Sequence, residues 1–197
     1  MQKTSLKSLT SSPLSQGFHF REKIVESEGS NLSVVQMSNI DKFARINVTR
    51  LARIDFVPKY EKHLLRHGDI LFLGRGQRNM ASLVVEDLLP AVAATYFTMI
   101  RVKRNEILPE YLTVYLNLNE TQKRIRELAR GTALAVIPMS ELAKLEIDVP
   151  PLETQLVIVE LDRLVKHAEE IEEKINLRRS LLIEKRIIKM LHGSNGG

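Results

Sequence analysis

The chain has 197 residues, of which 44% are hydrophobic and 27% charged, with 9 glycines and 7 prolines, so it is not a disordered or low-complexity sequence and can bury a core. It contains no cysteine, which excludes a disulfide scaffold, a thiolate zinc site and a cysteine nucleophile. No apolar run approaches the roughly 20 residues of a membrane helix, and the N-terminus lacks a signal-peptide pattern, so we predict a soluble cytoplasmic protein without membrane contact.

The net charge of +5 comes from one segment of the chain. Residues 42–78 hold nine basic and three acidic residues, whereas the two kinds of charge nearly cancel over 1–41, 79–152 and 153–191. A local excess of this kind favours an anionic partner, and a solvated basic face without a partner is the alternative.

The first 150 residues predict a compact α+β domain. Serine and threonine dominate residues 1–15, which we predict to be a flexible N-terminal arm. Residues 16–150 contain short runs of β-branched and aromatic residues, typical of strands in a mixed or antiparallel sheet, and one helical pattern from Pro109 to Gly131. The predicted strands are 70–73, 83–85 and 95–102.

A different pattern follows Pro150-Pro151. No Gly or Pro interrupts residues 153–191, so we predict one long helix over 151–192, followed by a frayed tail over 193–197. Apolar residues recur at spacings of three and four, as in the seam of a coiled coil, and predict a partner helix; packing back onto the chain's own domain is the alternative. The predicted seam consists of Leu161, Leu164, Ala168, Ile171, Ile175 and Leu182.

The sequence contains no recognisable catalytic motif. His63 and His67 are flanked only by Glu61 and Asp69 and form no HExxH motif, so we predict no metal site. A Walker loop and the Asn/Asp-Pro-Pro-Tyr/Phe motif of amino-methyltransferases are both missing, so we predict no cofactor and no catalytic activity of the chain itself.

The turn that follows the predicted strand 70–73 carries side chains suited to reading DNA. Arginine can bind guanine through two hydrogen bonds, and glutamine or asparagine can bind adenine in the same way, while basic side chains nearby bind phosphates. An ordinary polar hairpin turn, or a phosphate cradle at Gly74–Gly76, is the alternative. The predicted base-reading residues are Arg75, Gln77, Arg78 and Asn79, and the predicted phosphate-binding residues are Lys42, Arg45, Arg50 and Arg53.

Three segments of the chain match the pattern of one known family. The first is Gly68-Asp-Ile-Leu-Phe-Leu-Gly-Arg-Gly76, and the second is Leu108-Pro-Glu-Tyr-Leu-Thr-Val-Tyr-Leu116 with Gln122 and Gly131-Thr132. The third and most specific runs from Ile137 to Gln155 and includes Val-Pro-Pro-Leu-Glu-Thr-Gln, with threonine where an acidic residue is usual. Together they resemble the GDIL turn, the helix-and-loop segment and the LPPL-x-EQ helix entry of type I restriction-modification specificity (S) subunits.

This resemblance implies a DNA target recognition domain followed by a spacer helix. Full S subunits carry two such units in tandem, so we expect a half-size subunit, or half of a larger chain, that pairs with a second copy through antiparallel helices. The resemblance also implies double-stranded DNA as a partner, with catalysis left to a methyltransferase (M) subunit and a restriction (R) subunit. A coiled-coil adaptor that does not bind DNA and a small phosphate-ligand enzyme remain as alternatives from other classes.

Overall fold

The computed structural model describes residues 2–27, 29–75, 79–129 and 136–193. The chain forms two compact units, Met1–Val159 and Glu160–Gly197. The first unit is built from short strands and helices around a core. The second consists of the greater part of one long helix.

Nine strands and five helices occur among the described residues. The strands are β1 (Gln2–Ser5), β2 (Ser15–Gln16), β3 (Leu32–Val35), β4 (Ala52–Ile54), β5 (Ile70–Leu73), β6 (Met80–Leu83), β7 (Ala91–Ala93), β8 (Phe97–Ile100) and β9 (Glu146–Val149). The helices are α1 (Leu6–Leu9), α2 (Pro109–Asn117), α3 (Asn119–Glu127), α4 (Met139–Leu142) and α5 (Leu152–Gly193). Short 3₁₀ segments lie at Met37–Asn39, Val48–Arg50, Pro58–His63 and Glu86–Leu88.

The strands of the first unit form three small sheets. The largest has the order β2-β8-β5-β6 and is antiparallel throughout. A second has the order β4-β3-β7, in which β3 is antiparallel to β4 and parallel to β7. The third pairs β1 with β9. The prediction of an α+β fold with mixed and antiparallel sheets, followed by one long helix, is therefore confirmed.

Strand β5 separates two layers of the core, and all four of its residues are buried. Because side chains alternate across a strand, Ile70 and Phe72 join a cluster with α2 and α3, whereas Leu71 and Leu73 join a cluster with β3 and β7. This explains why the segment reads as a continuous apolar run rather than an alternating one.

The prediction of a flexible N-terminal arm over 1–15 is wrong. Strand β1 pairs with β9 in a register that joins Thr4 to Ile147, and Leu6 and Leu9 of α1 are buried at 0% and 2% exposure. These two leucines, three residues apart, anchor a segment whose other side chains are mostly polar. Its strand partner lies about 140 residues away, so local composition could not reveal the pairing.

Two other predicted elements differ from the structure. The helical pattern from Pro109 is broken at Leu118 into α2 and α3, and Gln122 donates from its side chain to the Leu116 carbonyl oxygen at 2.6 Å, which bridges the break. Gly131 lies outside the described residues. The strand predicted at 83–85 instead occupies Met80–Leu83, and a 3₁₀ segment follows.

The long helix begins at Leu152, directly after Pro150-Pro151, as predicted, and α5 runs to Gly193. Its first turns belong to the domain, where Ile158 and Val159 pack against the larger core cluster. In the second unit the apolar side chains are exposed, for example Leu161 at 57% and Leu182 at 64%. No helix in the described part of the chain is long and apolar enough to span a bilayer.

Candidate nucleic-acid interface

A compact loop joins β3 to β4 and carries three of the predicted phosphate-binding residues. Its centre is Asn39, which is 5% exposed. The Asn39 side-chain Nδ2 donates to the Arg50 backbone carbonyl oxygen at 2.8 Å, and its side-chain Oδ1 accepts from the Gln36 N–H. Asp41 closes the tip by accepting from the N–H groups of Phe43 and Arg45, each at 2.8 Å. The loop is therefore held by side-chain bonds together with backbone bonds of its own, among them an antiparallel bridge between Ile40 and Ile46.

Phe43 holds two cations at the tip of this loop. The Lys42 ammonium lies 4.8 Å and the Arg45 guanidinium carbon 4.9 Å from the centre of the Phe43 ring. Arg45 also lies 3.7 Å from the Asp41 carboxylate. A ring that attracts both cations keeps two positive charges close together, which produces a strong local potential for an anion.

Arg50 and Arg53 continue the cationic surface toward β4. Arg50 ends the 3₁₀ segment Val48–Arg50 and is exposed. Arg53 is the exposed middle residue of β4, opposite Ser33 of β3. The structure thus gathers Lys42, Arg45 and Arg50 in one loop and places Arg53 on the strand that leaves it.

The turn after β5 contains the predicted base-reading residues. Arg75 is exposed and forms an isolated antiparallel bridge with Val136, while the Gly74 carbonyl oxygen accepts from the Ile137 N–H at 2.9 Å. Gln77 and Arg78 lie outside the described residues, as does Gly76. Asn79 is only 7% exposed, and its amide donates to the Leu73 carbonyl oxygen at 3.2 Å, so this side chain closes the turn instead of pointing to a partner.

The cationic loop and the Arg75 turn leave the domain on the same side. Val35, the last residue of β3, accepts at its carbonyl oxygen from the Ala94 N–H at 2.9 Å. A tight turn over 94–97, closed by a Phe97 N–H bond to Ala94, reverses the chain into β8, and Phe97 lies opposite Leu73 at the end of β5. Strands β3 and β5 therefore both end beside this turn, whose Tyr96 is 47% exposed.

Other basic residues of the segment 42–78 lie elsewhere. Arg66 precedes β5 and so lies at the opposite end of that strand from Arg75. Beside it, the buried Asp69 accepts from Arg101 Nε at 2.6 Å and from the Arg66 N–H at 2.8 Å. The charge excess is thus divided between two ends of the domain. Sequence reasoning missed this ion pair, because its partners are 32 positions apart and neither carries a motif of its own.

Two further sequence interpretations concern metal and phosphate chemistry. Within the described ranges no group of three His, Asp or Glu side chains could hold a metal ion, and His63 lies in an aromatic cluster with its ring 5.3 Å from Phe18. Gly74 is buried against Ile137, where an added Cβ would lie 3.5 Å from the Ile137 carbonyl oxygen. The Gly74–Gly76 phosphate cradle therefore gains no support from the residues that are described.

An α+β domain that carries an exposed basic loop and the exposed Arg75, followed by a long helix with exposed apolar residues, is the arrangement expected from the resemblance to specificity subunits. Residues 22–178 match the family described as type I restriction modification DNA specificity domain, which covers most of the chain. The chain belongs to this family.

Individual relatives agree with this assignment. The chain is 28% identical over 129 residues to the type I restriction enzyme HindI specificity subunit of Haemophilus influenzae, which covers 64% of this chain and 28% of the relative. Its fold is similar to the HsdS subunit of Thermoanaerobacter tengcongensis, with a TM-score of 0.65, 20% identity, and coverage of 95% of this chain and 46% of the other. It is also similar to the type I S subunit of M. genitalium, with a TM-score of 0.57, 19% identity, and coverage of 93% and 44%. The chain thus spans less than half the length of the relatives it matches.

Proposed function

We propose that this chain reads one half of a DNA target and catalyses no reaction itself. The observation that carries the proposal is that β3 and β5, which lead into the two exposed basic elements, both end beside the 94–97 turn. The loop with Lys42, Arg45 and Arg50 would bind backbone phosphates, and Arg75 would reach base edges. Membership in a family of DNA specificity domains supports the same role.

The two elements would divide affinity from specificity. Lys42 and Arg45 contact the same aromatic ring, so their positive charges lie close together and would attract backbone phosphates whatever the base sequence. The Arg75 backbone is bridged to Val136, and the Asn79 amide bonds to the Leu73 carbonyl oxygen beside it. A backbone held in this way could direct the Arg75 guanidinium at one base pair. Gln77 and Arg78 share this turn in sequence, and we assign them to base reading with Arg75.

The long helix would hold a second recognition unit at a set distance. Exposed apolar residues at spacings of three and four from Leu161 to Ile175, followed seven residues later by Leu182, form the seam. In the proposed assembly a second copy of the chain covers this seam in antiparallel orientation, since a two-fold axis then places two domains at opposite ends. An M subunit, together with an R subunit, would act on the DNA so selected.

A selection experiment tests the DNA-reading role. Duplexes enriched by the full chain from a random library define its preferred sequence, and the affinities of variants are then measured on that sequence and on random DNA. R75A is expected to lose about 1–3 kcal/mol on the preferred duplex and little on random DNA, whereas K42A should weaken both alike and lower the salt dependence of binding. R126A, which changes an exposed arginine on α3, is the control.

Two results would contradict the proposal. Equal losses for R75A and K42A on preferred and random DNA would remove the distinction between base and phosphate contacts. Self-association of the chain without affinity for any duplex at low salt would favour the coiled-coil adaptor instead.

A further inference from the structure

A cleft at the start of β5, remote from the Arg75 turn, is lined by three arginines. Arg66, Arg101 and Arg104 surround a volume of about 240 Å³. A single bound water needs only about 10–15 Å³ of such a volume, so the cleft, which is open to solvent, has room for a tetrahedral anion. The Arg66 side chain is exposed and makes no hydrogen bond or ion pair with the described part of the chain.

The other two arginines are already held in position. Arg101 uses Nε and Nη2 on the Asp69 carboxylate, with its Nε 2.6 Å from Oδ1, so its Nη1 is not used in this pair. Arg104 donates from Nη2 to the His67 carbonyl oxygen. Because both side chains are ordered before any ligand arrives, the entropy lost on binding an anion is reduced.

The backbone at Gly68 lets Arg104 approach. Gly68 has a φ of +83°, and a Cβ at this position would collide with Arg104 Nη2. Any other residue here would push the guanidinium away from the cleft. The positive φ of Gly68 and the close approach of Arg104 therefore explain why the GDIL segment has glycine here, without reference to the turn after β5.

Asp69 does not cancel the positive charge of the cleft. Its side chain is 2% exposed, and its oxygens accept from Arg101 and from the Arg66 N–H. Three guanidinium groups and one carboxylate line the cleft, and the charge stays positive even when the Glu86 carboxylate beside His67 is counted. Arginine presents paired N–H donors in the geometry of phosphate oxygens, which distinguishes such a site from a general basic surface.

We propose that this cleft binds a phosphate group through Arg66, Arg101 and Arg104. The cleft is separate from the proposed base-reading surface, so a result against one of the two proposals does not contradict the other. The phosphate belongs either to a DNA backbone or to free phosphate and small phosphorylated molecules, and the test distinguishes these two sources.

The first arm measures inorganic phosphate binding to the full chain by calorimetry. We expect saturable binding that R66Q/R104Q weakens at least about tenfold, as expected for loss of charge-assisted bonds. R126Q is the matched control, and E86Q should tighten binding, because the Glu86 carboxylate lies 3.8 Å from His67 at the edge of the cleft. R66Q alone, which removes no bond within the chain, should weaken binding in the same direction even if the double variant unfolds.

The second arm measures the salt dependence of affinity for a mixed-sequence duplex. If the cleft holds a backbone phosphate, R66Q should lower the slope of log affinity against log salt by about 0.9 for each DNA phosphate that the variant no longer binds. An unchanged slope together with a loss of inorganic phosphate binding assigns the cleft to free phosphate or small molecules. A lower slope without measurable binding of inorganic phosphate assigns it to DNA.

Two outcomes would overturn the proposal. One is phosphate binding that R66Q and R66Q/R104Q retain at full strength, because the ligand would then lie elsewhere. The other is a wild-type chain that binds no phosphate and whose salt slope R66Q leaves unchanged.

Discussion

The two units of this chain use the same apolar residue types in opposite ways. In the domain, leucine, isoleucine and valine are buried in three clusters, and β5 contributes its two faces to two of them. Along α5 beyond Val159, leucine and isoleucine are 44–67% exposed. Burial of apolar surface contributes a free energy of about 25 cal/mol per Å². The first unit has gained this free energy by folding, whereas the second would gain it only by contact with another apolar surface.

This contrast shows how the two units would divide the work. The domain has a core of its own and can hold two loops in a defined geometry. The second unit presents an apolar surface whose stabilisation requires another helix. We therefore expect position within the core to decide stability in the first unit and association with another helix to decide it in the second.

The largest expected effect is on self-association, and it comes from substitutions in the helix alone. I171D/I175D should weaken self-association about a thousandfold or more, since each aspartate would have to be buried unpaired in the seam. The thermal melting of the domain should change little. Sedimentation equilibrium measures the first quantity and circular dichroism the second.

The matched control is E169D/K174D, which introduces the same residue type on other faces of α5. If both double variants dissociate alike, the seam does not mediate pairing. Orientation can be read separately, because the chain has no native cysteine. In an antiparallel pair L161C should not cross-link to itself, whereas a parallel pair would bring the two introduced thiols together.

A smaller effect is expected at Gln155, which joins the helix to the domain. This side chain is 0% exposed, and its Oε1 accepts from the Leu108 N–H at 2.8 Å, while Nε2 donates to the carbonyl oxygens of Pro150 and Glu106 at 2.9 and 3.3 Å. Q155L should lower the free energy of unfolding by about 2–4 kcal/mol, because the backbone groups lose their partner in a buried position.

T154A is the control for this substitution, since Thr154 is exposed in the same turn and should change the free energy of unfolding by less than about 0.5 kcal/mol. Denaturant melts of both variants give the comparison. A Q155L chain as stable as T154A would show that this junction contributes nothing to the domain.

The smallest expected effect is a loss of stability at high pH that depends on Tyr111. Burial, with smaller contributions from Tyr115 and Asp148, raises the pKa of Tyr111 from 10.0 to about 12. Because the unfolded chain loses this proton near its ordinary pKa and the folded chain retains it, the contribution to stability is complete below pH 10 and is lost as the pH rises toward 12.

Y111F removes that titration and should flatten the fall in melting temperature above pH 10. It also removes the hydrogen bond of 2.6 Å from the phenol to the Asp148 carbonyl oxygen, so it should lower stability at neutral pH. If the melting temperatures of the wild type and Y111F fall equally with pH above pH 10, the pKa of Tyr111 is not raised in the folded chain.

Local sequence patterns predicted several elements of the structure. Strand β5 and the start of α5 after Pro150-Pro151 were predicted at their observed positions, since a short apolar run and a double proline are strong local signals. The β1–β9 pair and the Asp69–Arg101 pair were not, because each joins positions that are distant in sequence. Asn79 shows a third limit, since a side chain suited to adenine turned out to bond to the Leu73 carbonyl oxygen.

The sequence by itself determined the α+β class, the long helix and the family, because residue spacing and short motifs are local properties of the chain. Only the tertiary structure decided which basic residues lie at the same end of the domain. It placed the loop with Lys42, Arg45 and Arg50 after β3, whose end lies beside the same turn as the end of β5 that leads into Arg75, and it placed Arg66 with Arg101 and Arg104 at the other end of β5. The physical reason is that strand pairing, rather than proximity along the chain, sets the distance between charges.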